Sequence, residues 1–580
     1  MKSLVGYTGF VGSNLAMNGE FDRYYNSKNI EDAFGTQPEL LVYAGVPAQK
    51  FMANQFPEKD RATIDNAINN IRLIKPKKIV LISTIDVYNT PRDVNEETVI
   101  DGAKDEPYGR NRLYFEDFVR ENYPGQHLIV RLPGLYGRNL KKNYIYDFIH
   151  RVPSMLTEEK YKEVVEKEPS LEKYYESLDN GFFKLKRIRL GEELELREVF
   201  HNLGFSALDF TDSRGVYQFY NLKYLASHIE TALENNIELL NLATEPVGVA
   251  EVYERMTGDR WNNELGGEPA EYNYKTLYSE IFGGRDGYIF DKEFVLNDIE
   301  DFIRRELQIR LSASNIGWSK KEDDAMYEFL KENGYRGVEV APTRVTEVNP
   351  YDDIESVKVF AEKMKVRYGL SISSMQSIWY GKTENIFGSE EERKSLIDYT
   401  KRAIDYAAEA GCNNLVFGCP KNRNIREGMS KEECFEKALR FFREIGKYAS
   451  EKNVVIAIEA NPEIYGTNFI NTTQEALELA EKIDCDGVKV NLDVGTMIYN
   501  DEKADILKGK VKLIHHVHIS EPNLVAIKKR ELHEQIVEIL EKEKYAGYLS
   551  VEMSNKNGVD EVKAALKYVG GFGMGCRDGC

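Results

Sequence analysis

The chain has 580 residues, 42% hydrophobic and 30% charged, with a formal net charge of −19. That length exceeds one ordinary core and predicts several domains of a globular protein, while the acidic balance argues against a nucleic-acid partner. No apolar run reaches the ~18 residues of a membrane span, the start MKSLVGYTGFVGSNL has no signal-peptide layout, and six cysteines without metal-type spacing fit a reducing, cytoplasmic setting.

Residues 3–15, SLVGYTGFVGSNL, read as a short strand, a turn with Gly6, Gly9 and Gly12, and a helix. Glycines let a backbone turn tightly against a pyrophosphate, and a helix N-terminus offers it free N–H groups. Strands follow at 40–45, 77–83 and 127–132, alternating with helical segments. This alternation predicts a Rossmann-like, doubly wound parallel sheet. Ser83 and Thr84 fall at a strand end, and Tyr108 and Arg112 one helical turn apart. Residues 140–200 are rich in Lys, Glu and Tyr and read as an inserted helical region, solvated or an interface.

GYTGFVGSNL, STIDVY, YGRNRLYFE and VRLPGLYG together resemble the extended short-chain dehydrogenase/reductase family of nucleotide-sugar epimerases, dehydratases and reductases, over residues 1 to 305 with a small substrate domain. The resemblance implies NAD or NADP held by Gly6, Gly9, Phe10, Val11 and Gly12. It also implies Tyr108 as acid/base with Thr84 orienting a substrate hydroxyl. Arg112 stands where the family has lysine, and the two cations are not equivalent. Hydride chemistry and a nucleotide-binding domain without turnover therefore both stay open. The short distance from Gly12 to the strand at 40–45 is similar to the compact dTDP-4-dehydrorhamnose reductase branch. RYYNSKN (23–29) lacks the acidic residue expected for NAD, and Ser27 and Lys28 lean toward the 2′-phosphate of NADP.

After the helix at 294–307 the pattern restarts. Strands are expected at 308–316, 337–342, 371–377, 413–420, 454–461, 488–495, 513–520 and 548–554, with amphipathic helices in nearly every gap. Eight strand–helix repeats over 308–570 fit a (β/α)8 TIM barrel, whose chemistry sits at the C-terminal strand ends. Near those ends stand Glu459, Asp493, His518 and Glu552, each alone on an apolar strand. Converging charges of one sign need a cation, and three carboxylates with an imidazole suit Mn, Mg, Co or Zn. Strand alternation puts His516 on the face of His518, as packing or support, and turns His515 the other way. Cys576 and Cys580 close a glycine-rich tail (571–580), mobile or a regulatory thiol pair.

GYRGVEVAP, SMQSIWYG, LVFGCPKNR, IEANPEIYGTNF, LDVG, HVHISEP and SVEM are similar to the xylose-isomerase-like barrel family of sugar phosphate isomerases and epimerases. That resemblance implies a divalent metal on Glu459, Asp493, His518 and Glu552, with Glu459 and Glu552 as the acid/base pair. Thr496 and Leu524 replace a histidine and an arginine of the ketose 3-epimerase members, which leaves that specific activity open. The expected chemistry is proton transfer through an enediolate of an open-chain sugar or sugar phosphate. A dehydratase or lyase, or carbohydrate sensing without turnover, are the alternatives. Lys421 and Arg423 are candidate grips for a phosphate or carboxylate, and Asn461 and His533 further substrate contacts. The whole reads as a bifunctional carbohydrate enzyme acting on a sugar and, in its first half, a nucleotide sugar; a homo-oligomer is compatible with it, a membrane partner is not expected.

Overall fold

A computed structural model describes residues 1–48, 50–100, 106–178, 181–186, 188, 190–307 and 309–573. Cys576 and Cys580 lie outside the described residues. The chain divides into two compact units, Met1–Arg187 with Glu195–Leu307, and Gln308–Cys580 with Ile188–Leu194.

The first unit is built on six parallel strands, β1 (Lys2–Val5), β2 (Arg23–Tyr25), β3 (Leu40–Tyr43), β4 (Lys78–Thr84), β5 (His127–Leu132) and β6 (Leu239–Asn241). Their order in space is β2-β1-β3-β4-β5-β6. The direction of winding reverses at β1, the place where open α/β sheets take ligands. The order differs from the 3-2-1-4-5-6 arrangement of dinucleotide folds by one strand fewer beyond β2. The few residues between Gly12 and β3 leave no room for another strand–helix unit.

Helix α1 (Phe10–Asn18) follows β1, and α2 (Pro57–Ile74) and α3 (Pro107–Asn122) pack on one sheet face through Ile64, Ile68, Ile71, Phe115, Phe118 and Val119. In α2 a proline at the first turn and apolar residues at helical spacing explain both its start and its buried stripe. The inserted region is not purely helical. Met155–Thr157, Phe182–Leu185 and Tyr175–Leu178 form a three-stranded antiparallel sheet among its helices. Its segments YESL and FFKL have the aromatic, half-buried character of strands, which a count of Lys and Glu hides.

In the second unit eight parallel strands close into a barrel: β7 (Arg310–Ser314), β8 (Gly337–Val340), β9 (Ser371–Met375), β10 (Asn414–Phe417), β11 (Val455–Glu459), β12 (Val488–Asp493), β13 (Ile514–Ile519) and β14 (Tyr548–Val551). Closure is direct, Leu311 pairing with Leu549. The surrounding helices carry their own start signals. In α4 (Glu390–Glu409), Ser389 and Glu392 form a capping box. Two register shifts interrupt the ladder, one beside Glu339 opposite Ser373, the other beside Asn491 opposite His515.

The glycine turn after β1 is sterically committed. Gly6 has φ +89°, and a Cβ there would stand 2.5 Å from the Ala44 carbonyl oxygen; one on Gly12 would stand 2.1 Å from the Gly6 oxygen. Gly12→Ala is therefore expected to destabilise the first unit by about 1–3 kcal/mol, as overpacking does. Urea unfolding followed by hydrogen exchange resolved between the units checks this; an unchanged first unit would refute the tight turn.

Candidate active site in the barrel

TIM-barrel interiors are usually filled by branched aliphatic side chains. This one carries a polar column. Ser312 and Ser373 share a hydrogen bond of 2.6 Å, Asn414 donates to Ser374 Oγ at 2.9 Å, and Gln376 donates to Ser314 Oγ at 2.6 Å and to Glu339 Oε1 at 3.0 Å. Above it stands His518, fully buried. Its Nε2 lies 2.8 Å from Glu339 Oε2. Its Nδ1 lies 3.0 Å from Glu459 Oε1 and 3.1 Å from Glu552 Oε2. Asn491 donates to Glu459 Oε1 at 2.7 Å and reaches His518 Nδ1 at 3.2 Å.

Each group arrives on its own strand. Glu459 ends β11, His518 lies near the end of β13, and Glu552 directly follows β14, its N–H bonded to the Ile519 oxygen at 3.0 Å. Asp493 ends β12 and caps helix α5 (Val494–Tyr499). Two glycines make the space. A Cβ on Gly418 would stand 2.7 Å from Glu459 Oε2, and one on Gly495 3.0 Å from Asp493 Oδ1.

The carboxylates outnumber the cation among them. Burial opposes ionisation of Glu339, yet His518 and His516 hold it well below the usual carboxyl range. Burial likewise opposes Glu459, and His518 brings it below its usual value. Glu552 is raised, by burial ahead of Glu459 and Glu339. Asp493 is pushed up to about 7 by burial and then by Glu459 and Glu552. Burial would lower His518, but Glu339 and Glu552 carry it well above the ordinary imidazole value. Three buried acids crowd one ring, which is costly unless a further positive charge joins them.

Residues 327–569 match the family described as xylose isomerase-like TIM barrel. No curated protein matches the chain. Among solved structures it is similar to the 3-keto-D-glucoside 4-epimerase YcjR of E. coli, at 19% identity over 46% of this chain and 99% of that one, with a TM-score of 0.39. It is similar to a D-psicose 3-epimerase of Clostridium cellulolyticum H10, at 17% identity over 45% of this chain and 98% of that one, TM-score 0.38. It is also similar to the probable 3-DHS dehydratase AsbF of Bacillus anthracis, at 18% identity over 45% and 98%, TM-score 0.35.

Of the four residues expected to converge, Glu459, His518 and Glu552 place oxygen or nitrogen atoms within 4.8 Å of one another. Asp493 is near enough to raise their cost but outside that trio. Its Oδ1 accepts from the Thr496 N–H at 3.1 Å and from Ser520 Oγ at 2.6 Å. Glu339, Asn491 and Ser520 were missed. Glu339 gave the same signal as the others, one acid in an apolar strand, but lies on β8. Tyr465, also missed, feels Asp493, Glu552 and Glu459 from the loop after β11.

Three expected substrate contacts do different work. Arg423 is buried and donates to the Glu459 carbonyl and to Asn461 Oδ1, both at 2.8 Å, so it is no anion grip; burial lowers it to about 10. Asn461 donates to Glu459 Oε2 at 2.9 Å, joining Arg423 to that carboxylate. His533 lies buried in α6 (Glu531–Lys542) with Nδ1 3.1 Å from Tyr568 Oη, in helix packing rather than at a substrate. Lys421 is exposed. His515 does not face away: skipped by the ladder at the register shift, it stands 2.8 Å from Oδ1 of Asn414, a member of the interior polar column. A bulge sets two residues against one and so breaks alternation.

In the first unit, Gly9 is exposed and caps α1, Phe10 and Val11 form its first turn, and Ser27 and Lys28 lie exposed just past β2, at the same sheet edge as Thr84. Thr84 hydrogen-bonds Tyr108. Arg112 in the place of lysine left the acid/base role of Tyr108 open. Its guanidinium is held by Asp60, at 3.1–3.2 Å, and by the Pro47 carbonyl at 2.8 Å, and burial outweighs its lowering effect and leaves Tyr108 raised.

Burial lowers His533 to about 4, with Glu521 raising it and Arg530 lowering it less. Below pH 6.5 the unfolded chain binds a proton there that the folded chain refuses until about pH 4. Stability is therefore expected to fall on acidification across that window, by up to roughly 3 kcal/mol from this ring. Urea midpoints between pH 7 and 4.5 check it: His533→Leu should flatten the slope, and an identical slope would refute the assignment.

Proposed function

We propose that the barrel is a metal-dependent isomerase or epimerase of a sugar or sugar phosphate, working by proton transfer between carbons of the open-chain form. The observation that carries this reading is the approach of Glu459 and Glu552 to one ring nitrogen of His518, at 3.0 and 3.1 Å. The match of residues 327–569 to xylose isomerase-like barrels supports it. The donor set fits a hard divalent cation: oxygen-rich, buried, with excess negative charge and space kept open by Gly418 and Gly495. Glu459, Glu552 and His518 Nδ1 would hold the ion, with Asp493 as fourth ligand. Such an ion supplies charge stabilisation for adjacent carbonyl and hydroxyl oxygens of the sugar.

The chain's own groups do the rest. Glu459 or Glu552 takes the α-proton, and the other returns one to the opposite face or the neighbouring carbon. Asn461 and Asn491 fix Glu459 from two sides, so its free lone pairs keep one direction. Exposed Lys421 remains the candidate for a distal phosphate. Glu459→Gln and Glu552→Gln are each expected to lower kcat by about 10²–10⁴-fold. The check is proton NMR of ketoses, aldoses and their phosphates in D₂O, after metal analysis of the purified chain. Deuterium entering the carbon next to the carbonyl, without loss of water, is the expected result. A dehydrated product would replace isomerisation with the lyase reading.

For the first unit we propose nucleotide binding at the glycine turn, NADP ahead of NAD because of Lys28. Burial keeps Tyr108 raised despite Arg112, whose guanidinium is tied to Asp60, and this favours binding without turnover over hydride transfer. NADPH fluorescence should therefore change on adding the chain and persist on adding nucleotide sugars. Oxidation of the cofactor would overturn this, and absence of binding would remove the nucleotide altogether.

A further inference from the structure

We propose that Glu339 is the positioning residue of the barrel site: it accepts the Nε2 proton of His518 and thereby aims the Nδ1 lone pair at the cation position between Glu459 and Glu552. This rests on the metal reading above. Glu339 comes from the second barrel strand, outside the expected ligand set, and is 0% exposed. Its two oxygens have separate partners. Oε1 accepts from Gln376 at 3.0 Å, and Oε2 stands 2.8 Å from His518 Nε2. An ionised carboxylate has only acceptor oxygens, so the ring nitrogen facing Oε2 carries hydrogen.

The opposite edge of the ring agrees. The Asn491 amide nitrogen is turned toward Glu459 Oε1 by a 2.7 Å bond, and it also stands 3.2 Å from His518 Nδ1. That nitrogen has only hydrogens to offer, so an unprotonated Nδ1 is accommodated there. One ring thus meets an acceptor at Nε2 and a donor plus two acids at Nδ1, the arrangement a ligating imidazole needs. His516 Nε2 approaches the same Glu339 oxygen at 3.4 Å without a hydrogen bond. The register shift skips Ser373 on the neighbouring strand and pairs Glu339 with Ser374.

The test uses the full chain and two readouts that do not depend on turnover. Calorimetric titration with Mn²⁺ should show tight uptake by the unaltered protein and affinity weaker by about 10–100-fold in Glu339→Gln. Histidine-selective ¹⁵N labelling gives eight histidines to resolve. In the unaltered Zn²⁺-loaded chain, His518 should show a protonated Nε2 with a far-downfield, slowly exchanging proton. Equal affinity in Glu339→Gln, or an unprotonated Nε2, overturns the proposal while leaving the metal site standing. No uptake by the unaltered chain removes the metal reading and this inference with it. The ring measurement needs no variant, so poor folding of Glu339→Gln does not shield the proposal.

Discussion

The barrel depends on keeping a carboxylate, Glu339, ionised at a depth where water does not reach. An unpaired charge in such a place costs far more than any single hydrogen bond returns. Gln376, His516 and His518 supply the compensation from two other strands, so those strands cannot slide relative to β8 without stranding the charge. The aliphatic packing common in barrels is replaced here by paired polar groups. Such a network specifies register more narrowly than apolar side chains do, because a slip of one residue breaks several partners at once.

The same economy explains the upper layer. His518 satisfies Glu339 with one edge and presents the other to Glu459 and Glu552, so a single ring couples the structural acid below to the candidate catalytic acids above. Asp493 stands apart because it caps α5 and is bound by Ser520, and burial, followed by its neighbours' charge, raises it to about 7. The layout leaves a negative excess at the strand ends and its support beneath. Glu339 is wholly enclosed, whereas Glu459, Glu552 and Asp493 keep a small exposure at the strand ends.

Much of the barrel was legible because its signals are local. Eight apolar runs, capping residues such as Ser389 and Glu392, and single acids at strand ends need no knowledge of distant contacts. What escaped was set by long-range geometry. A bulge opposite Asn491 decides where His515 points, and no reading of alternation reveals it. Arg423 looked like a surface anion grip because arginines after a strand usually are; only the fold brings the Glu459 carbonyl and Asn461 around it. Glu339 carries the same local signal, one acid in an apolar strand, but only the fold brings it to His518, 179 residues on. In the first unit the glycine turn and the Thr84–Tyr108 pair were readable, whereas Asp60, 52 residues before Arg112, was not.

That last pairing bears on how the two halves relate in chemistry. A cation beside a tyrosine lowers its pKa only to the extent that its charge is uncompensated. Asp60 grips the Arg112 guanidinium through three hydrogen bonds, which turns the cation into half of a buried ion pair. The pair fixes α2 against α3, and the lowering pull that Arg112 still exerts on the Tyr108 hydroxyl is outweighed by burial. The barrel treats its buried histidine in the opposite way, surrounding one cation with more acids than it can neutralise. The first unit pairs its buried cation with one acid; the barrel leaves a negative excess around its own, the imbalance on which the proposed metal site rests.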